Sequence, residues 1–387
     1  MKRKIAVFTG TRAEYGLLFW LMHDLQASDD FDLQVLVSGS HLSPEFGLTY
    51  KEIEQQGFSV SRKVEILLSS DTPVGVLKGL GLGLIGFADA LEDMSTDALI
   101  ILGDRFEALA AAQAAMLLGI PILHIHGGEI TQGAYDDAIR HAITKLSYLH
   151  CTATDKYRDR VIQLGENPDR VFNFGAIGLD HLKRSQLISR EELSADLNFD
   201  LSEKYLLVTY HPATFASEDP EISFNAIISA LEDYSEFKII FTYPNADEGG
   251  RKIISIIEGY VAANSERAIA IKSMGQIRYL SALKYASAVL GNSSSAIIEA
   301  PSFYLPSINI GERQKGRIYA SSVLHCAADA KSISKTLMES QKKEHLDLCS
   351  NVVNPYGEGN VSNRLVRLLK SVDLKSRKIF YDMKVEG

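Results

Sequence analysis

The chain has 387 residues, 46 % hydrophobic and 23 % charged, with a formal net charge of -9. That length accommodates two domains of ordinary size, and the balance excludes a disordered or fibrous chain. The acidic excess argues against broad electrostatic binding to nucleic acid or anionic lipid, while a local basic pocket stays open. Taken in chain order, the first half alternates short β-like runs with helical stretches. IAVF (5–8), LQVLVSG (33–39), ALIILG (98–103), PILHIHGG (121–128), LHCTAT (149–154) and VFNFG (171–175) read as strands, with amphipathic segments such as Tyr15–Ala27 and Glu107–Leu118 between them. This rhythm predicts an α/β fold with a parallel sheet covered on both faces. Around Leu182–Asp200 the sequence turns polar, and then the rhythm restarts: YLLVTYHP (205–212), KIIFTYPN (238–245), AIAIKSM (268–274), AVLGNSS (288–294) and LPSINIG (305–311).

The pattern predicts two successive Rossmann-like domains, spanning residues 1–182 and 183–360, with a last helix in 361–387 crossing back onto the first. The expected site lies in the cleft between them, at the carboxyl ends of the strands. The residues just after each strand support that placement. The first strand ends in Thr9-Gly10-Thr11-Arg12, a glycine turn before a helix, which offers an anion site. Others end in Asp104-Arg105, His126-Gly127-Gly128-Glu129, His211-Pro212, Pro244-Asn245 and Asn292-Ser293-Ser294-Ser295.

Gly81-Leu82-Gly83-Leu84-Ile85-Gly86 matches G-x-G-x-x-G, yet the preceding run KVEIL ends near Leu67. The glycines therefore close no strand-to-helix turn; they let a helix pack closely or bend, and no nicotinamide cofactor is expected. Ser293-Ser294-Ser295 precede AIIEA, so serine hydroxyls and N–H groups at a helix start suit a phosphate, beyond what one serine cap requires. Glu299 would then accept hydrogen bonds from ribose hydroxyls. Asp104, Glu129, Asp136 and Asp137 crowd near the helix carrying Arg140 and His141. Such carboxylates raise one another's pKa and furnish acids and bases near neutrality; the alternative pairs Asp104 with Arg105 or Arg140 as salt bridges. His124, His126 and Glu129 form an H-x-H-x-x-E set unlike a zinc pattern, so no metal is expected. Cys151, Cys326 and Cys349 lack C-x-x-C spacing, which fits a reducing cytoplasm. The basic start Lys2-Arg3-Lys4 precedes a stretch that Gly10, Arg12 and Glu14 cut short, so no signal peptide is read. The most membrane-like segment, Phe106–Leu123, contains Glu107, Gln113 and Pro121 and reads as a buried helix and strand of a soluble protein.

Together FTGTRAEYG, LGDRFEAL, HIHGGE, DDAIRHAITKLSYLH, TYHPAT and GNSSSAIIEAP resemble the hydrolysing UDP-N-acetylglucosamine 2-epimerases of sialic acid biosynthesis, from about Lys4 to Leu369. The resemblance implies a glycosyltransferase-B fold and conversion of UDP-N-acetylglucosamine and water to N-acetylmannosamine and UDP, without a cofactor. A base removes the C2 proton as UDP departs, giving 2-acetamidoglucal; water then adds at C1 and a proton returns to C2 from the other face. Asp104 matches the family's catalytic aspartate, His211 its cleft histidine, and Asp136 or Asp137 its acidic residue before the helix. Where many members have glutamate, this chain has His126, so either His126 or Glu129 performs the second transfer; the reading leans to His126. Diphosphate contacts fall to Arg12, Ser293, Ser294 and His211. Arg105, Asn245, Ser273, Met274, Glu299 and Arg313 complete the expected substrate set, with the base read by backbone near Lys272. The nucleotide sugar is the expected partner, and the protein is expected to form a homodimer or homotetramer. GDP-N-acetylglucosamine or a UDP-2,4-diacetamido-6-deoxy sugar is an alternative substrate. A glycosyltransferase of the same fold would need an acceptor, and a nucleotide-sugar sensor would bind without turnover.

Overall fold

A computed structural model describes residues 2–68, 72–131, 135–212, 219–244, 250–272, 274–374 and 377–383. The chain divides into two compact units. One is Met1–Glu129, Tyr135–His181 and Gly359–Gly387; the other is Ile130–Ala134 and Leu182–Glu358.

The first unit is built on seven parallel strands: β1 (Arg3–Thr9), β2 (Phe31–Ser38), β3 (Val60–Val64), β4 (Ala98–Leu102), β5 (Ile122–Ile125), β6 (Leu149–Thr152) and β7 (Val171–Asn173). Their order is β3-β2-β1-β4-β5-β6-β7. Runs such as Ile5-Ala6-Val7-Phe8 and Leu99-Ile100-Ile101 are fully buried because helices cover both faces, which is why they read as continuous apolar stretches. On one face Leu18, Leu21 and Leu25 of the helix Arg12–Ala27 pack with Leu365 and Leu369 of the helix Val361–Ser371. The other face carries the helices Pro73–Met94 and Phe106–Leu117.

The G-x-G-x-x-G segment lies inside the helix Pro73–Met94, away from any strand-to-helix turn. A Cβ on Gly86 would meet Val64 Cγ1 at 2.6 Å, and one on Gly83 would meet Ala110 Cβ at 3.1 Å. Gly83 and Gly86 thus serve close packing, as expected, while Gly81 faces open space. The membrane expectation needs correcting. Among the described residues, Pro73–Met94 is the helix long and apolar enough to cross a membrane, with mean hydropathy 1.6, and not Phe106–Leu123. One face packs into the core through Gly83, Phe87 and Leu91, while Val74, Leu77 and Ile85 on the other are 60–67 % exposed.

The second unit has six parallel strands: β8 (Tyr205–Thr209), β9 (Lys238–Thr242), β10 (Ala268–Ile271), β11 (Ala288–Gly291), β12 (Ser307–Ile310) and β13 (Val323–Cys326). The order is β10-β9-β8-β11-β12-β13. Strand β13 is unexpected from sequence; it is a four-residue edge strand, buried only at Val323. Strand order reverses between β1 and β4 and between β8 and β11, the two places where an open α/β sheet presents a crevice.

Candidate active site

In the first unit the reversal brings the ends of β1 and β4 side by side. The β1 turn, expected from sequence to offer an anion site, carries a capping box. Glu14 Oε2 accepts the Gly10 N–H at 2.7 Å and the Thr11 N–H at 3.2 Å, and Thr11 Oγ1 accepts the Glu14 N–H at 3.2 Å. This capping box takes the Gly10, Thr11 and Glu14 N–H groups, three of the main-chain donors at this helix start. Burial pushes Glu14 up to about 7, against the pull of Arg105. Arg12, first residue of its helix, pairs with Glu52 at 3.0 Å. Arg105 turns to Glu107, not Asp104, donating two bonds of 3.1 and 2.9 Å. Burial works against the Arg105 charge, and Glu107, Glu14 and Asp136 outweigh it.

Asp104 is held by Arg140 from the helix Tyr135–Leu146. The same guanidinium, 3 % exposed, donates to Glu129 O at 3.0 Å and to Asp137 Oδ1 at 3.4 Å. Asp137 Oδ2 also lies 3.5 Å from His141 Nε2. His126, at the end of β5, has a left-handed backbone with φ of 65°, uncommon for a residue with a side chain. Its Nε2 accepts the Ile177 N–H at 3.3 Å, and its Nδ1 lies 3.5 Å from Glu129 Oε1. An N–H donor needs a lone pair on Nε2, so the ring proton of neutral His126 sits on Nδ1, facing Glu129. His124 is fully buried, donates from Nε2 to Gly103 O at 2.8 Å, and faces Thr144 Oγ1 at 3.1 Å through Nδ1. Burial pushes it down to about 3. It braces the Gly103-Asp104 turn. Among the described residues no three His, Cys, Asp or Glu side chains gather to hold a metal.

In the second unit β11 ends at Gly291, where a Cβ would meet Thr209 O at 1.9 Å and φ is 135°. Only glycine fits there. Asn292 follows, and its side-chain amide pairs with the main chain of His211 at the end of β8. Burial, with the Arg313 charge, pushes His211 down to about 3, so its imidazole is neutral near pH 7. Ser293 Oγ and Ser295 Oγ are 3.1 Å apart, and the Tyr279 hydroxyl bonds Ser295. Burial raises the Tyr279 phenol, while hydrogen bonds to Ser295, Thr209 and Ser293 hold it back. Ser294 stands at the helix N-cap but makes no side-chain cap bond. The helix expected over AIIEA is a single turn, Ser295–Ile298, running into a 3-10 turn at Ala300–Phe303. So short a helix has little macrodipole, and anion binding there would rest on individual N–H and O–H donors. Glu299 is 8 % exposed and close enough to Tyr279 for its charge to raise the phenol.

Residues 23–370 match the family described as UDP-N-acetylglucosamine 2-epimerase. The chain is 42 % identical over 323 residues to the GDP/UDP-N,N'-diacetylbacillosamine 2-epimerase (hydrolyzing) of Campylobacter jejuni, covering 84 % of each. The chain belongs to the hydrolysing UDP-N-acetylglucosamine 2-epimerase family. It is 36 % identical over 377 residues to the UDP-N,N'-diacetylbacillosamine 2-epimerase (hydrolyzing) of Legionella pneumophila, covering 97 % of this chain and 98 % of that one. The UDP-N-acetylglucosamine 2-epimerase of Neisseria meningitidis, solved bound to UDP-N-acetylglucosamine, matches with a TM-score of 0.81 at 20 % identity. That match covers 96 % of this chain and 100 % of that one, and the shared fold is the glycosyltransferase-B type.

In this member of the 2-epimerase family, Asp104, Glu129, Asp137 and Arg140 come together, and His126 joins Glu129. Asp136 lies near Arg105. Arg313 donates to Asn292 O at 2.9 Å. Met274 is buried in the core under the helix Gly275–Tyr285. Asn245 and Ser273 lie outside the described residues. Sequence reasoning missed Glu14, Glu107, Tyr279 and the bridging role of Asn292. Thr11-x-x-Glu14 is a readable capping-box pattern; the others carry no local signal.

Proposed function

We propose that the protein is a hydrolysing 2-epimerase releasing UDP and the free C2 epimer from a UDP-linked 2-acetamido sugar. One observation carries the reading: Arg140 holds Asp104 and the Glu129 main chain in one network, while His126 Nδ1 lies 3.5 Å from the Glu129 carboxyl. Two separately oriented carboxyl groups suit two proton transfers on opposite faces of C2. In the first half a carboxylate takes the C2 proton, the C1–O bond breaks, and its electron pair leaves with UDP. In the second half hydroxyl adds at C1 from water, the other carboxyl gives C2 its proton and is recharged by the proton the water loses, and the first carboxyl releases its proton to solvent. Every step is redox-neutral, so no cofactor enters. Asp104 is assigned one transfer and Glu129 the other. His126, expected from sequence to be the proton carrier, becomes the residue that orients Glu129, because its Nε2 lone pair already serves Ile177. Asp136 and Asp137 shape the acidic edge. Ser293, Ser294 and Arg313 supply donors to the diphosphate, His211 is assigned to the oxygen of the C1–O bond as it breaks, and Glu299 accepts from the ribose.

The names of the Campylobacter and Legionella relatives support a UDP-2,4-diacetamido-6-deoxy sugar as substrate. UDP-N-acetylglucosamine, the expectation from sequence, is the second reading, supported by the family description. Three unpaired cysteines fit the cytoplasm. The exposed Val74–Leu77–Ile85 stripe, with open space over Gly81 between them, supports a second copy of the chain packing there. Each nucleotide sugar, supplied alone in heavy water, tests the reading. Free UDP and an epimerised sugar with one solvent deuterium on C2 are expected. Retention of the original C2 hydrogen would overturn the elimination, and turnover only with an added acceptor would indicate a glycosyltransferase.

A further inference from the structure

Strands β8 and β11 pair in parallel up to Thr209 and Gly291. Beyond that point their main chains separate, and a side chain continues the pairing. Asn292 Oδ1 accepts the His211 N–H at 2.8 Å, and Asn292 Nδ2 donates to His211 O at 2.8 Å. Both hydrogen-bonding groups of the His211 backbone are thereby tied to one amide. Pro212 follows, which restricts His211 to extended backbone. The Asn292 main chain is fixed as well: its N–H donates to Thr209 O at 3.2 Å, and its carbonyl accepts Arg313 Nη1 at 2.9 Å and Gln314 Nε2 at 2.8 Å. At 1 % exposure, Asn292 joins three segments: the end of β8, the end of β11 and the turn after β12. A single local role, such as capping one turn, would need one of these bonds. This arrangement instead makes the position of His211 depend on the start of the serine turn.

We propose that Asn292 is a positioning residue, an amide clamp that sets His211 from the first residue of the serine turn. The clamp needs an amide of this length. A carboxylate would place an oxygen against His211 O, and alanine would leave a backbone donor and acceptor unpaired. Misplacing a reacting group by an ångström lowers turnover far more than it lowers binding.

The inference rests on the epimerase reading, so the experiment uses the full chain and begins with the unaltered protein. Absence of turnover of any UDP-linked 2-acetamido sugar by that protein sinks the reading itself. Histidine ring resonances read the clamp without turnover, with His211 assigned from His211→Gln. In Asn292→Ala the His211 ring signals should move. Its kcat should fall about tenfold to a hundredfold, and UDP affinity, measured calorimetrically, should stay close to that of the unaltered protein. Gln314→Leu removes one donor from the Asn292 carbonyl and leaves the amide pair intact. It should move the same signals less and lower kcat less. Unmoved His211 signals and an unaltered kcat in Asn292→Ala would overturn the proposal. So would a loss of UDP affinity that matches the loss of kcat, since the residue would then act through the serine turn alone. If Asn292→Ala does not fold, Gln314→Leu decides: signals and kcat both like the unaltered protein would overturn it.

Discussion

The C-terminal residues beyond the helix Val361–Ser371 yield a prediction that can be worked from distances. Lys378 Nζ donates to Lys145 O and Ser147 O, both at 2.7 Å, and lies 2.7 Å from Glu166 Oε2. Glu166, 3 % exposed, also binds Lys145 Nζ at 2.6 Å and His150 Nε2 at 2.9 Å. Next to this cluster Phe380 lies where a Cβ of Gly165 would sit, and the Tyr381 N–H donates to Gly165 O at 3.0 Å. Burial alone would raise Glu166; His150, Lys145 and Lys378 outweigh it and bring it down to about 2. A carboxyl lowered in the folded state stabilises fully above its unfolded value, near 4.5, and that stability is lost as pH falls toward 2. Lys378→Met removes one charge-assisted bond to a buried carboxylate and leaves two carbonyls without their donor, a loss of roughly 3 kcal/mol. For a unit of about 200 residues this lowers the melting temperature by about 6–12 °C. The assay is a thermal melt of both proteins from pH 7 down to pH 2.5, following the transition of the first unit. The gap should be widest at neutral pH and narrow as pH falls from about 4.5 toward 2, because the lysine offsets no charge once Glu166 is protonated. A gap that is absent at pH 7, or that stays constant to pH 2.5, would refute the reasoning.

Four shorter expectations accompany it. Asp104→Asn should cut kcat by a factor of about a hundred or more while UDP affinity, by calorimetry, changes far less, because an amide cannot take the proton. In parallel, Glu129→Gln should cost more kcat than His126→Ala; the reverse order would return the proton transfer to His126. The Ser293→Ala/Ser294→Ala double variant should weaken UDP binding by about tenfold or more, and unchanged affinity would remove both from the phosphate site. Leu77→Arg with Ile85→Arg should shift the sedimentation coefficient toward the monomer; an unaltered coefficient would discard the apolar stripe as a contact between copies.

Some of this was legible in the sequence for a simple reason. A parallel strand buried on both faces is an unbroken apolar run, so Ile5–Phe8 and Leu99–Leu102 announce themselves, and the polar residues after them announce the carboxyl edge. A four-residue edge strand such as Val323–Cys326, half exposed, has no such run. The pattern names residues more readily than it decides between partners. For Asp104 it offers both Arg105 and Arg140; the fold gives Arg105 to Glu107 and brings Arg140 to Asp104 from a different helix. Likewise nothing near His126 in sequence foretells that the Ile177 N–H will take its Nε2 lone pair. These are long-range choices, decided by where strands and helices pack.

The partners, more than the residue types, decide where a diphosphate belongs. From sequence, Arg12 at the β1 turn awaits an anion, yet Glu52 pairs with it and Glu14 occupies the Gly10 and Thr11 N–H groups. Arg105 is likewise matched by Glu107. With Glu14, Asp104, Glu107, Asp136 and Asp137 near the same edge, a further pair of negative charges would meet repulsion, and the Arg12, Arg105 and Arg140 guanidiniums there are already matched to carboxylates. That edge suits removal of a proton from carbon, which needs a carboxylate whose charge is held in place. The edge after β8 and β11 differs: His211 is a neutral imidazole, three serines follow Asn292, and the Arg313 guanidinium reaches the Asn292 main-chain carbonyl. We infer that the phosphates are held at the second unit's strand ends and that Arg12 chiefly fixes the first helix. Arg12→Ala should accordingly leave UDP affinity nearly unchanged, contrary to what the glycine turn suggests in isolation. A loss of affinity matching that of the serine double variant would restore Arg12 to the phosphate site.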